Sequence, residues 1–489
     1  MKTRRNRFCL LLIVVLLLTS CGGGTAKETT ADETVPVEET EMTSETVLTD
    51  GLEGYDFGGQ NFSIVYSQDQ LGTNWPYDAQ EQTGDLLNDT VWERNTMVEE
   101  RFNVLLSFDN VGGTTNEVPT AITASVTAGD NAYQLGISHT FNNVPAMTSE
   151  GILTDFNTIP AVDLDKPWWN ASIRENLQIA GVLPIGVSDL IHSYADVIYV
   201  NQDMLTEHGL ENPYDLVNKG TWTWPKLAEM AETVAADTNG DGAYSIEDRY
   251  GYTTPGETIS LMSRLVHSNG MLFAEPDGEG YPRLITISDR LQLSLERYYD
   301  LIHNGNKTYV GTKTDTLGSV DAFSRGNILF MHQTTLQLPA LRDTEIHFGI
   351  VPLPKHNEEQ EKYMSMLSSQ LLLVPNMEDD LLEMTGVVLE GLSYESWRLV
   401  VPAVYESIFA HKYLRDATSY DMYLQIRDSL VCDFNWNYGN GNGITYIVSK
   451  LVWEQKSTDV SSYLAKNTPP VETAFAELYD AVKEVYGTK

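Results

Sequence analysis

A chain of 489 residues with 69 acidic and 31 basic side chains carries a formal net charge of −38 at neutral pH. A field of that sign repels nucleic acid and anionic lipid surfaces, and no run of Lys or Arg after Arg7 offsets it locally. Hydrophobic residues make up 42 % of the chain, ample for the cores of two domains.

The chain opens with Lys2, Arg4, Arg5 and Arg7, followed by an apolar run from Phe8 to Leu18. That run is short of the roughly 20 residues a bilayer span requires, so residues 1–20 read as a secretion signal peptide. Leu18-Thr19-Ser20-Cys21 resembles a bacterial lipobox, in which the cysteine sulfur receives a diacylglyceryl group and becomes the mature first residue. The expectation is a lipoprotein held by Cys21 on the extracellular face of the cell membrane, two acyl chains making the attachment durable. Removing residues 1–20 takes away four basic and no acidic residues, leaving a net charge of −42. With Cys9 leaving with the signal and Cys21 lipidated, Cys432 is expected to have no intrachain disulfide partner. Residues 21–51 are rich in Gly, Thr and acidic residues and lack aromatics, which predicts a disordered acidic tether reaching some 30 Å.

Folded structure is expected from residue 52. Tyr55 to Gly59 reads as a turn, and Asn61 to Tyr66 as a strand with Phe62, Ile64 and Tyr66 alternating. A helix follows over 86–102, with Asn88 or Asp89 near its start, and then a strand over 104–108. Further strands are expected at 133–138, 195–201, 328–331, 346–351 and 371–374. Helices are expected at 225–235, capped by Thr223, and at 288–303, capped by Ser288 and stopped by Asn304-Gly305. Beyond Met377 the chain reads as mostly helical, ending in an amphipathic segment over 471–486. Alternating strands and helices argue for α/β architecture with largely parallel sheets.

Several motifs in the right order resemble one family, the extracellular solute-binding proteins of ABC importers, in particular its sugar-binding lipoproteins. They are Asp56-Phe57-Gly58-Gly59 and the Glu93-Arg94-Asn95 helix; Val197 to Met204; Glu211 to Tyr214 with Thr221-Trp222-Thr223-Trp224; and Ala322 to Met331 followed by Phe348 to Pro354. The resemblance covers nearly all of residues 52–489. It implies a two-lobed, type II periplasmic-binding-protein-like fold, each lobe a mostly parallel sheet flanked by helices, with the solute in the cleft. Lobe one is expected at 52–190 plus 313–365, and lobe two at 191–312 plus 366–489. The implied activity is capture of a carbohydrate, expected to be an oligosaccharide, and its delivery by a monomer to the permease subunits of an ABC importer. No enzyme chemistry is implied.

One loop stands apart. Asp237, Asn239, Asp241, Ala243, Ser245 and Asp248 occupy positions 1, 3, 5, 7, 9 and 12 of a calcium-loop pattern with Gly242 at position 6. Oxygen ligands at that spacing suit a hard cation, and the glycine permits the sharp turn. Asp248 stands where a calmodulin-like loop has Glu, so the pattern is closer to the dockerin type. A structural Ca2+ is the expected cofactor.

Sugar sites pair aromatic faces with carboxylates and amides. Trp75, His139, Asp189 and Gln333, each beside a strand end, and Trp436, read as an exposed aromatic loop, are the candidate ligand-binding residues. Trp222 and Trp224 read as packing at a helix start, whereas Trp168-Trp169 is open to either role. The rival readings are a surface glycan-active enzyme using two carboxylates, or a peptide-binding or sensor protein on the same fold. No His-Glu-x-x-His, Gly-x-Ser-x-Gly or phosphate-loop motif appears to favour an enzyme.

Overall fold

The computed structural model describes residues 48–487 except 68–74, 113–115, 140–142, 192, 256–263, 311–317, 342, 406–416 and 440. The expected signal segment, Cys21 and the expected tether as far as Val47 lie outside the described residues. All elements below belong to one unit, Thr49–Lys489. The expected tether ends slightly earlier than residue 51, because the Asp50 carboxylate is buried against Arg101 at 2.6 Å.

The first sheet is built from β1 (Gln60–Tyr66), β2 (Val104–Asn110), β3 (Leu135–Ser138) and β14 (Leu371–Leu373), in the order β14-β3-β1-β2. β1 runs parallel to β2 and β3, with Ile64 opposite Phe108 and Leu135, whereas β14 is antiparallel to β3. The helix Leu86–Phe102 joins β1 to β2. Asp85 caps it by accepting the Leu87 and Asn88 N–H groups, while Asp89 instead accepts the Thr83 and Gly84 N–H groups.

The second sheet has the order β11-β5-β10-β6-β9, comprising β5 (Asp196–Asn201), β6 (Tyr250–Thr254), β9 (Thr308–Val310), β10 (Ile328–Thr334) and β11 (Phe348–Pro352). Every residue of β5 is buried. Ile198 and Val200 pack into one hydrophobic cluster and Val197 and Tyr199 into another, the period of two that a sheet covered on both faces imposes. Thr223 and Ser288 cap the helices Trp224–Val234 and Asp289–His303 as expected.

Strand pairing corrects the expected lobe boundaries. β10 and β11 flank β5, both antiparallel to it, so most of 313–365 belongs with lobe two. A strand buried along its whole length needs backbone partners on both sides, and these two segments supply them. The chain then returns to lobe one, where β14 completes the first sheet and the helix Asp379–Glu395 packs on the helix Leu86–Phe102. The second sheet is also less parallel than expected, with β5 antiparallel to both neighbours and parallel pairing confined to β10-β6-β9.

The chain crosses between the sheets on short paired strands. β4 (Ser193–Tyr194) leads out of lobe one into β5, and β13 (Ser368–Ser369) leads back into β14, the two pairing antiparallel. β12 (Ser365–Met366) pairs with β15 (Leu430–Val431) beside them. The C-terminal helix starts at Val460, not near Val471, and runs to Tyr486 through Pro469 and Pro470. Cys432 is a free, buried thiol. No helix among the described residues is long and apolar enough to cross a membrane.

Close approach of the helix Asp379–Glu395 depends on glycine. A Cβ at Gly386 would run into the Pro160 carbonyl oxygen, and one at Gly391 into the buried Phe102 ring. Gly386→Ala is therefore expected to lower stability by about 1–3 kcal/mol, read as a lower urea midpoint with an unchanged m-value.

Candidate functional site

A cavity of about 840 Å³ opens between the two sheets beside the crossing strands. Lobe one supplies Trp75, the turn Pro167–Ser172, the segment Val187–Ile191 and the continuation of the helix Asp379–Glu395. Lobe two supplies Tyr423, Leu424, Arg427 and Asp428 from the helix Ala417–Asp428, which packs on β11.

The lobe-one wall is aromatic. Past Glu395 the helix widens to a π-turn over Ser396–Val400, an irregularity frequent at functional sites, and this turn carries Trp397 and Val400 on the cavity. Trp397 is half-buried and lies 5.8 Å, centroid to centroid, from Trp168. Trp168 and Trp169 form the floor and are 1 % and 4 % exposed. Both indoles donate to one buried carboxylate: Trp168 Nε1 to Glu390 Oε1 at 2.9 Å and Trp169 Nε1 to Glu390 Oε2 at 2.8 Å. Burial pushes the Glu390 carboxyl up to about 7 against the lowering effect of the indole donors. Behind the π-turn lies Arg94, fully buried, which donates to Asn95 Oδ1, Ser396 Oγ and the Tyr77 carbonyl; burial lowers it to about 10.

The polar component spans the lobes. Arg427 Nη2 donates to both oxygens of Asp189, at 2.9 and 2.8 Å. Asp189 belongs to lobe one, its N–H bonded to the Trp168 carbonyl, and Arg427 to lobe two. Burial raises the Asp189 carboxyl to about 6, with Arg427 opposing the shift. Asn170, Ser172 and Ser188 add hydrogen-bonding groups around the pair.

Of the residues expected from sequence, the structure brings Trp75 and Asp189 together in this cavity; His139, Gln333 and Trp436 do not line it. His139 is half-buried just beyond β3. Gln333 is 1 % exposed within β10, where its Oε1 accepts the Thr334 N–H at 3.0 Å. Trp436 is not in an exposed loop: it is 2 % exposed in the helix Phe434–Tyr438, beneath the Arg264 guanidinium at 5.1 Å. Asp433 caps that helix by accepting the Trp436 N–H, and the neighbouring amides Asn435 and Asn437 are buried hydrogen-bond formers. Trp222 and Trp224 pack as expected, donating to the Pro352 carbonyl and Ser268 Oγ.

Sequence reasoning passed over Trp397, Arg427 and Glu390. For Glu390 a signal existed, a lone carboxylate inside the apolar run Val387 to Leu392.

In the loop 237–248, Asp237 accepts the Gly240 and Gly242 N–H groups, Asn239 that of Asp241, and Asp241 that of Ala243. These side chains keep spare lone pairs. Asp248 does not: its two oxygens accept four bonds, from the N–H and O–H groups of Thr238 and Ser245, which fill a carboxylate's four acceptor positions and hold it below the usual range. Asp248 therefore closes the loop as a brace. Among the described residues no three His, Cys, Asp or Glu side chains gather as a metal cluster.

Two lobes, crossing strands and an interlobe cleft define the type II solute-binding architecture. Solved structures share it: a cyclic α-maltosyl-1,6-maltose binding protein from Arthrobacter globiformis at 15 % identity and TM-score 0.55, RafE from Streptococcus pneumoniae in its apo form at 11 % and 0.53, and an ABC substrate-binding protein from Listeria monocytogenes in complex with cycloalternan at 14 % and 0.50. The alignments cover 88 %, 89 % and 88 % of this chain and all of each of those chains. At these identities the likeness is one of fold. No family model and no curated protein matches the sequence.

The raised Asp189 carboxyl has a signed consequence. Ionising it is harder in the folded protein, so its stabilising effect is complete below the unfolded value of about 3.9 and is lost as pH rises through about 6. Asp189→Asn is expected to flatten the part of the Tm decline that the wild type shows across that window.

Proposed function

We propose that this protein is a carbohydrate receptor of the ABC-importer type, which captures an oligosaccharide in the interlobe cleft and presents it to a permease. The observation that carries the reading is the make-up of the cavity: half-buried Trp75, Trp397, Tyr363 and Tyr423 beside the Asp189–Arg427 pair. Aromatic faces cover the apolar C–H surface of a pyranose, while carboxylate, guanidinium and amide groups fix its hydroxyls. An ionised Asp189 held by one guanidinium nitrogen retains acceptor positions for sugar hydroxyls. A solute touching both walls stabilises the closed form by its differential affinity for that form. Fold neighbours described with cycloalternan and with cyclic maltosyl-maltose support a glucan-like ligand. We read the protein as a binder and not an enzyme, anchored outside the cell through a lipidated Cys21.

The test is a thermal-shift and calorimetry screen of residues 22–489 against linear and cyclic α-glucans, other oligosaccharides and short peptides. One glycan series should raise Tm, by about 2.7 kcal/mol of added stability at 100 times Kd, with no product formed. Trp397→Ala should weaken that binding about tenfold or more, each tenfold being about 1.4 kcal/mol. A shift with peptides alone, or glycan turnover, would overturn the reading.

The loop 237–248 is proposed as a weak calcium site using Asp237, Asn239, Asp241 and the Ala243 carbonyl; Asp248 would have to surrender partners in Thr238 and Ser245 to join them. Millimolar Ca2+ is expected to raise Tm relative to EDTA, and Asp237→Ala to abolish that difference. An identical Tm in Ca2+ and EDTA would leave the loop a purely hydrogen-bonded turn.

A further inference from the structure

The cavity floor poses a question that sugar recognition leaves open: why a carboxylate with no exposed surface sits in an apolar stretch of helix. Glu390 is flanked by Leu389 and Gly391, all three fully or nearly fully buried, and no cation among the described residues is paired with it. Its oxygens take one indole N–H each, from Trp168 and Trp169, and Oε2 also takes the Asp163 N–H at 3.4 Å. Adjacent residues of an extended or turning chain point different ways, so a single group that satisfies both indoles fixes two ring orientations at once.

From Trp168 the constraint reaches the ligand wall. Its ring meets Tyr394 edge-on at 5.1 Å and Trp397 at 5.8 Å, and Tyr394 lies 6.2 Å from Trp397. Glu390, Tyr394 and Trp397 lie on one continuous helix that passes into the π-turn, and Ser393 on that helix is bonded to Ser188 beside Asp189 at 2.8 Å. Helix and tryptophan turn are thereby locked together through a buried carboxylate, a costly group to bury and one that an apolar residue would replace if packing alone were required.

We propose that Glu390 is a positioning residue of the ligand site: it sets the angle of the Trp397 face by pinning the Trp168 indole packed against it, while its other oxygen holds Trp169. This inference rests on the carbohydrate reading of the cleft. Fixing the ring before the solute arrives removes the ordering cost that a free ring would add to binding.

Glu390→Gln has nearly the same shape, but it presents an amide N–H2 to one of the indole N–H groups and leaves that donor without an acceptor. The variant is expected to bind the glycan that stabilises the wild type about tenfold more weakly. In a Trp397→Ala background the same change should cost no further affinity, because the group acts through that ring; a merely structural role would weaken both backgrounds alike. A second measurement needs no variant: in wild-type protein labelled with 15N-tryptophan, glycan should move the indole resonances of Trp168 and Trp397 together. Unchanged affinity in Glu390→Gln, equal losses in both backgrounds, or a Trp397 signal that moves while Trp168 stays still would overturn the inference and leave the receptor reading intact. A wild-type protein that binds no saccharide would overturn both.

Discussion

The complete burial of β5 organises the molecule. Six consecutive residues from Asp196 to Asn201 lie out of water, so every backbone N–H and C=O in that stretch has to find a partner inside the protein. β10 and β11 provide them, one on each side and both antiparallel. Because β11 is the last strand of that sheet in the chain, the polypeptide must travel back afterwards, and it does so along β13 beside the outgoing β4. The paired crossing strands, the separation into two sheets and the cleft between them all follow from satisfying one buried strand.

The cleft itself is held by charges that packing alone would disfavour. Arg94 and Glu390 are both buried in lobe one, and each is satisfied by neutral partners: an amide, a serine and a carbonyl for the guanidinium, two indoles for the carboxylate. Asp189 is raised by burial although Arg427 reaches it from the other lobe. Such groups bring directional bonds where an aliphatic core would allow sliding. The Asp189–Arg427 pair links the two walls of the cavity through opposite charges.

Much of the secondary structure was legible locally. Thr223 and Ser288 announced their helices because a hydroxyl before an apolar-periodic run accepts the N–H of the residue three along. The alternation in β1 and the apolar run of β5 gave those strands. Where local reading fell short, the cause lay in remote groups. Asn435, Trp436 and Asn437 read as an exposed loop from their amide-rich neighbourhood, but Asp433 turns them into a buried helix. Gln333 sits at the end of a strand yet is sealed under Ser319 and Thr334. Trp397 and Arg427 lay among the many residues of their kind in the chain, and nothing near them in sequence marks their meeting at one cavity.

What the amino-acid order determined by itself was the class of most elements, the Thr223 and Ser288 helix caps and the α/β character, which depend on neighbours within a few positions, together with the acidic composition. Lobe membership, the reversal of β5 against its partners and the membership of the cleft were decided only by tertiary structure. Those depend on which segments, separated by tens to hundreds of residues, jointly satisfy buried backbone and buried charge: Asp189 with Arg427, and Trp168 and Trp169 with Glu390. Such pairings carry no periodicity along the chain, so they become visible only once the chain has folded.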